Sequence, residues 1–78
     1  MKRSEITLRE AINMTEIFYP VKVVYDDIVL YDDYDSNEQF SPLIAIPVRM
    51  RGIENLIVAD IHIEFVDLHH SIITLKGE

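Results

Sequence analysis

Apolar residues change their period along this chain, and each change predicts an element. Leu8, Ala11, Ile12 and Thr15 recur at helical spacing, while Arg9, Glu10, Asn13 and Glu16 point elsewhere. Thr7-Leu8-Arg9-Glu10 has the capping-box pattern, in which Thr7 accepts from the Glu10 amide and the Glu10 carboxylate reaches back to the Thr7 amide. A short helix is therefore expected from Thr7 onward. Two turns do not persist alone in water, so this helix must dock Leu8 and Ile12 onto something else.

After Pro20 the period drops to two. Val21-Lys22-Val23-Val24-Tyr25, Asp26-Asp27 and Ile28-Val29-Leu30-Tyr31 read as a hairpin, because Asp tolerates the positive φ of a two-residue loop. That register sets Tyr25 against Ile28, Val23 against Leu30 and Lys22 against Tyr31. One face then holds Val21, Val23, Tyr25, Ile28 and Leu30, and the other Lys22, Val24, Val29 and Tyr31. Both are apolar enough to need cover, and the second must meet another element, a second subunit in a homodimer, or a partner.

Residues 32–41, polar, acidic and dotted with aromatics, read as a long loop or a strand end running into one. From Leu43 to Met50, Ile44, Ile46, Val48 and Met50 alternate with Ala45, Pro47 and Arg49, which predicts an edge strand interrupted by proline. A turn at 52–55 leads to the longest strand candidate, Leu56 to Val66, with Ile57, Ala59, Ile61, Ile63 and Phe65 on its core face. After a turn at Asp67-Leu68-His69-His70, the residues Ile72, Ile73 and Leu75 close the sheet. The expectation is one α+β domain over residues 1–78, a short N-terminal helix packed on an antiparallel sheet of four or five strands.

Charge adds a second pattern. Between Tyr25 and Glu38 the chain carries Asp26, Asp27, Asp32, Asp33, Asp35 and Glu38, three tyrosines and no basic residue. Of 14 acidic and 7 basic residues in all, 8 acids and all 7 bases lie outside that stretch, so it accounts for six of the seven net negative charges. A field of that sign favours a basic partner and disfavours phosphates and anionic membranes. The Met1-Lys2-Arg3-Ser4-Glu5 start leads into no apolar signal region, and no apolar run reaches membrane-spanning length, which predicts a complete cytoplasmic protein. With no cysteine there is no thiol nucleophile and no thiolate metal ligand.

Candidate chemistry is sparse. Asp60, His62 and Glu64 share one side of a strand and offer imidazole and carboxylate ligands, so a metal-dependent hydrolase is one reading. The other is a solvated sheet face. No serine sits in a nucleophile elbow, and two glycines provide no phosphate loop. Asp32, Asp33, Asp35 and Glu38 lack the glycine and distal glutamate of a calcium loop. Arg49-Met50-Arg51 is too small a basic cluster for direct nucleic-acid binding. What remains is a partner surface of Asp26, Asp27, Tyr31, Asp32, Asp33, Tyr34, Asp35 and Glu38, in which tyrosines supply contact area and carboxylates steer toward arginine and lysine.

The order of Thr7-Leu8-Arg9-Glu10-Ala11-Ile12, Val21 to Leu30 and Ile57 to Leu75 resembles the layout of small accessory proteins of phages and prophages. Some proteins of that kind, including anti-CRISPR and other counter-defence inhibitors, act as acidic decoys on nucleic-acid sites of host proteins. The resemblance implies a non-enzymatic inhibitor that takes no cofactor and occupies a basic surface. A structural homo-oligomer, with the acids serving solubility, is the alternative.

Overall fold

The computed structural model describes residues 6–35 and 39–77. Their order is β1 (Ile6–Thr7), α1 (Leu8–Thr15), a 3₁₀ turn (Glu16–Phe18), β2 (Pro20–Tyr25), β3 (Ile28–Asp32), α2 (Pro42–Arg49), β4 (Ile57–Phe65) and β5 (Ser71–Gly77). The α+β class stands, with two amendments: a second helix, and a mixed sheet. Its strand order is β1-β4-β5-β2-β3, and β2 runs parallel to β5 while every other pair is antiparallel.

Helix α1 starts where the capping box places it. The Glu10 amide donates to Thr7 Oγ1 and the Thr7 amide to Glu10 Oε1, both at 3.3 Å. Two further amides of the first turn donate outward, Leu8 to the Leu56 carbonyl (2.8 Å) and Arg9 to that of Glu54 (3.2 Å), so the turn before β4 completes the helix start. Leu8 and Ala11 are buried, and Thr15 hydroxyl donates to the Ala11 carbonyl at 2.9 Å.

The segment 43–50 is a helix and not an edge strand. Ser41 occupies the N-cap, Pro42 the first turn, and the Ser41 carbonyl accepts from Ile44 (3.0 Å) and Ala45 (2.9 Å). The apparent alternation of Ile44, Ile46, Val48 and Met50 conceals a helical set, Ala45, Ile46 and Met50, which is what the core buries. Pro47 removes one helical donor, and the helix ends two residues later at Arg49.

Two bulges correct the strand faces. In the β2–β3 hairpin, Tyr25 pairs with Ile28 and Val24 with Val29 as expected, but Val23 pairs with Tyr31, which leaves Leu30 as an extra residue. Leu30 and Tyr31 are both buried as a result, and Asp32 rather than Tyr31 lands opposite Lys22. In β4, Val58 pairs with Gly77 and Asp60 with Lys76, so Ala59 is bulged and Val58, not Ile57 or Ala59, joins Ile61 and Ile63 on the core side. The central strand is β5, whose Ile73 and Leu75 are fully buried beside Val23 and Tyr25. The Tyr25 hydroxyl donates to the Ile57 carbonyl (3.1 Å), and a side chain at Gly77 would stand 2.6 Å from that hydroxyl, so the β5 end needs glycine. Among the described residues, both helices pack on one face of the sheet, and the other presents Lys22, Val24, Val29, Ile72 and Thr74 beside Asp60, His62 and Glu64.

Candidate functional site: an acidic loop beside an apolar groove

The acidic stretch is continuous in sequence but divided in space. Asp26 and Asp27 form the hairpin turn, whereas Asp32, Asp33 and Asp35 lie at the opposite end of the same hairpin, where Lys22 pairs with Asp32. Four residue-to-residue steps along the strand separate Lys22 from Asp26, roughly 13 Å at about 3.3 Å per residue. That exceeds the distance of about 8–10 Å over which exposed charges act at physiological salt, so the two groups present separate fields.

Three of these acids build the fold. Asp26 takes a positive φ of 52°, its amide donates to the Leu75 carbonyl (2.8 Å), and its Oδ1 accepts from the Gly77 amide (3.0 Å). Asp32 is only 7% exposed, and its Oδ1 accepts from the amides of Tyr34 (3.1 Å) and Asp35 (2.8 Å), an Asx turn that orders the loop. Lys22 Nζ lies 3.0 Å from Asp35 Oδ2 and 3.9 Å from Asp32 Oδ2. The hydrogen bond to Asp35, then the Asp35 charge, raises the Lys22 pKa above its ordinary value. Asp27 and Asp33 remain as exposed carboxylates, the first at the turn and the second at the loop end.

The tyrosines divide likewise. Tyr31 is 5% exposed, because the bulge turns it into the core, and it therefore supplies no contact area to a partner. Tyr34 is 56% exposed and stands between Asp33 and Asp35 on the turn that Asp32 holds. Glu38 lies outside the described residues. Asp60, His62 and Glu64 are exposed along β4, and among the described residues no three His, Asp or Glu side chains gather closely enough to hold a metal ion.

Next to the acidic loop runs a groove of about 400 Å³ between α1, β2 and α2, floored by Ile12, Val21, Val23, Ile46 and Pro47. Asp33, Glu16 and His70 line it as well, and among the described residues neither lysine nor arginine does. His70 belongs to the turn before β5, where its Nδ1 lies 2.9 Å from Asp67 Oδ2. The His69 amide, first, and the His70 ring lower the Asp67 pKa below its ordinary value. Two rim residues expose large apolar side chains, Tyr19 (71% exposed) and Leu43 (70%). The groove leaves no mark in the sequence pattern, because one wall is α2, whose alternating aliphatic residues predict a strand. No helix among the described residues is long and apolar enough to cross a membrane.

No protein-family model, curated protein or solved structure matches this chain.

Proposed function

We propose that this chain is a non-enzymatic acidic protein-binding module whose partner presents a basic surface, in the manner of a phage-type inhibitor that occupies a nucleic-acid-binding site of a host protein. The observation that carries this reading is the loop end of the hairpin. There Asp33 is exposed, Tyr34 projects from a turn ordered by a buried carboxylate, and Glu16 adds a second exposed charge along the adjoining groove. A rigid phenol flanked by carboxylates suits contact with arginine and lysine. Asp27 and Asp26 lie at the far end of the hairpin and present a separate field.

Affinity capture from a native lysate tests it, with wild type and an Asp33→Asn variant as baits at low and high salt. The expected result is a basic protein held by wild type at low salt, released at high salt, and held less by the variant. Equal retention by both baits, or capture insensitive to salt, contradicts the reading.

A second reading, a homo-oligomer formed through the open sheet face, rests on Val24 and Ile72, which are half-buried there, and on the exposed Val29. Sedimentation across the micromolar range decides it: a dimer that Val29→Lys dissociates supports it, and a monomer throughout refutes it.

A further inference from the structure

We infer that the groove between α1, β2 and α2 seats the apolar side chains of a basic amphipathic segment of the partner, with Tyr19 held at its rim for that contact. This rests on the acidic binding reading and adds the place and the chemistry of the occupant.

Three observations lead there. The groove is apolar along its floor and, at about 400 Å³, falls in the size range of pockets that enclose a ligand, roughly 300–1,000 Å³. Among the described residues its acidic lining groups are Glu16 and Asp33, both exposed, and no lysine or arginine lines it, so an occupant gains by carrying lysine or arginine beside its apolar side chains, and an anionic lipid or acidic peptide is repelled. The occupant thus has the character of an amphipathic basic helix laid into a hydrophobic groove.

Tyr19 is the third observation. It closes the 3₁₀ turn at φ 50°, ψ 61°, in the left-handed region, where a bulky side chain is an outlier that glycine would occupy without strain. The fold uses its backbone: the Tyr19 amide donates to the Glu16 carbonyl (3.2 Å), and its carbonyl accepts from the Ser71 amide (3.4 Å). The ring is left largely in solvent at the groove mouth, across from Leu43 on the α2 wall. A strained position that keeps a large exposed ring points to recognition rather than folding.

The test uses the full chain, isotope-labelled, with three short peptides as probes: leucine and lysine at helical spacing, the same composition with the leucines dispersed, and leucine with glutamate. Amide shifts and binding curves are recorded for wild type, Asn13→Trp, which fills the groove from an exposed position, and Tyr19→Gly. The expected result is binding of the first peptide alone, with shifts concentrated at Ile12, Val21 and Leu43, and a loss of affinity of about tenfold or more in Asn13→Trp. Tyr19→Gly is expected to raise the melting midpoint while weakening the peptide several-fold. Absence of groove shifts at millimolar peptide, or binding undisturbed by Asn13→Trp, overturns the inference. If that undisturbed binding is still weakened by Asp33→Asn, the acidic reading survives and only the groove is lost. If the leucine-glutamate peptide binds as well as the leucine-lysine one, the charge argument fails and both readings fall. A Tyr19→Gly variant with a lowered midpoint and full affinity removes Tyr19 from the account.

Discussion

Strand β5 and helix α2 both carry several branched aliphatic residues, yet the fold treats them oppositely. Ile73 and Leu75 of β5 are fully enclosed between β2, β4 and the helices, whereas α2 buries Ala45 and Ile46 and leaves Leu43, Ile44 and Val48 largely in solvent. The difference lies in their neighbours. β5 is hydrogen-bonded on both sides and covered by helices, while α2 rests chiefly on the edge strand β3, where Arg49 Nη1 reaches the Leu30 carbonyl at 3.5 Å. Apolar content in β5 is therefore used for stability, and the exposed part of α2 contributes little to it.

Substitutions can break or sharpen that contrast. The largest effect is expected at β5, where Ile73→Ala should cost about 2–5 kcal/mol by denaturant unfolding. Next is Asp32→Ala, which strips two backbone amides of their acceptor and should cost about 1–3 kcal/mol, with Asp32→Asn recovering part of it. Thr7→Ala removes the α1 cap and should cost about 0.5–2 kcal/mol. At the other extreme, Leu43→Ala should shift stability by no more than about 0.5 kcal/mol, because its side chain is largely in water. A Leu43 variant as damaging as the Ile73 one would remove the contrast between the two elements.

The smallest effect concerns pH. The Asp67 pKa is lowered in the folded state, so its contribution is present above the ordinary carboxylate value and disappears as pH falls through the depressed one. The melting midpoints of wild type and Asp67→Ala should therefore differ slightly at neutral pH and converge in acid below about pH 4. A gap that widens in acid would reverse the sign of this linkage.

Local signals were legible in the sequence and nonlocal ones were not. Thr7 and Glu10 announce the start of α1 because both partners lie within one turn, and Asp26-Asp27 announces the hairpin because the loop is two residues long. The parallel pairing of β2 with β5 joins residues about fifty apart and leaves no local mark, so the sequence predicts a wholly antiparallel sheet and says nothing of its strand order. Each bulge inserts one residue, which reverses the alternation beyond it and moves Tyr31 and Val58 into the core. Proline hid α2, since Pro47 suits an edge strand as well as the last turn of a short helix. The acidic stretch was legible as charge but not as shape: the hairpin carries Asp26 and Asp33 to opposite ends, and burial converts Asp32 from a steering charge into the support of Tyr34.

The claim that binding is directed by the groove end of the hairpin, and not by net charge alone, can be tested with two variants that each remove one negative charge. Association of the helical leucine-lysine peptide is measured by stopped flow for wild type, Asp33→Asn and Asp27→Asn at low and high salt. Asp33→Asn is expected to slow association severalfold at low salt and Asp27→Asn much less, with the three rates converging at high salt as screening shortens the field. Equal rates for the two variants would contradict the account: equally slowed, they show steering by net charge alone, and both unchanged, they show acids that serve solubility.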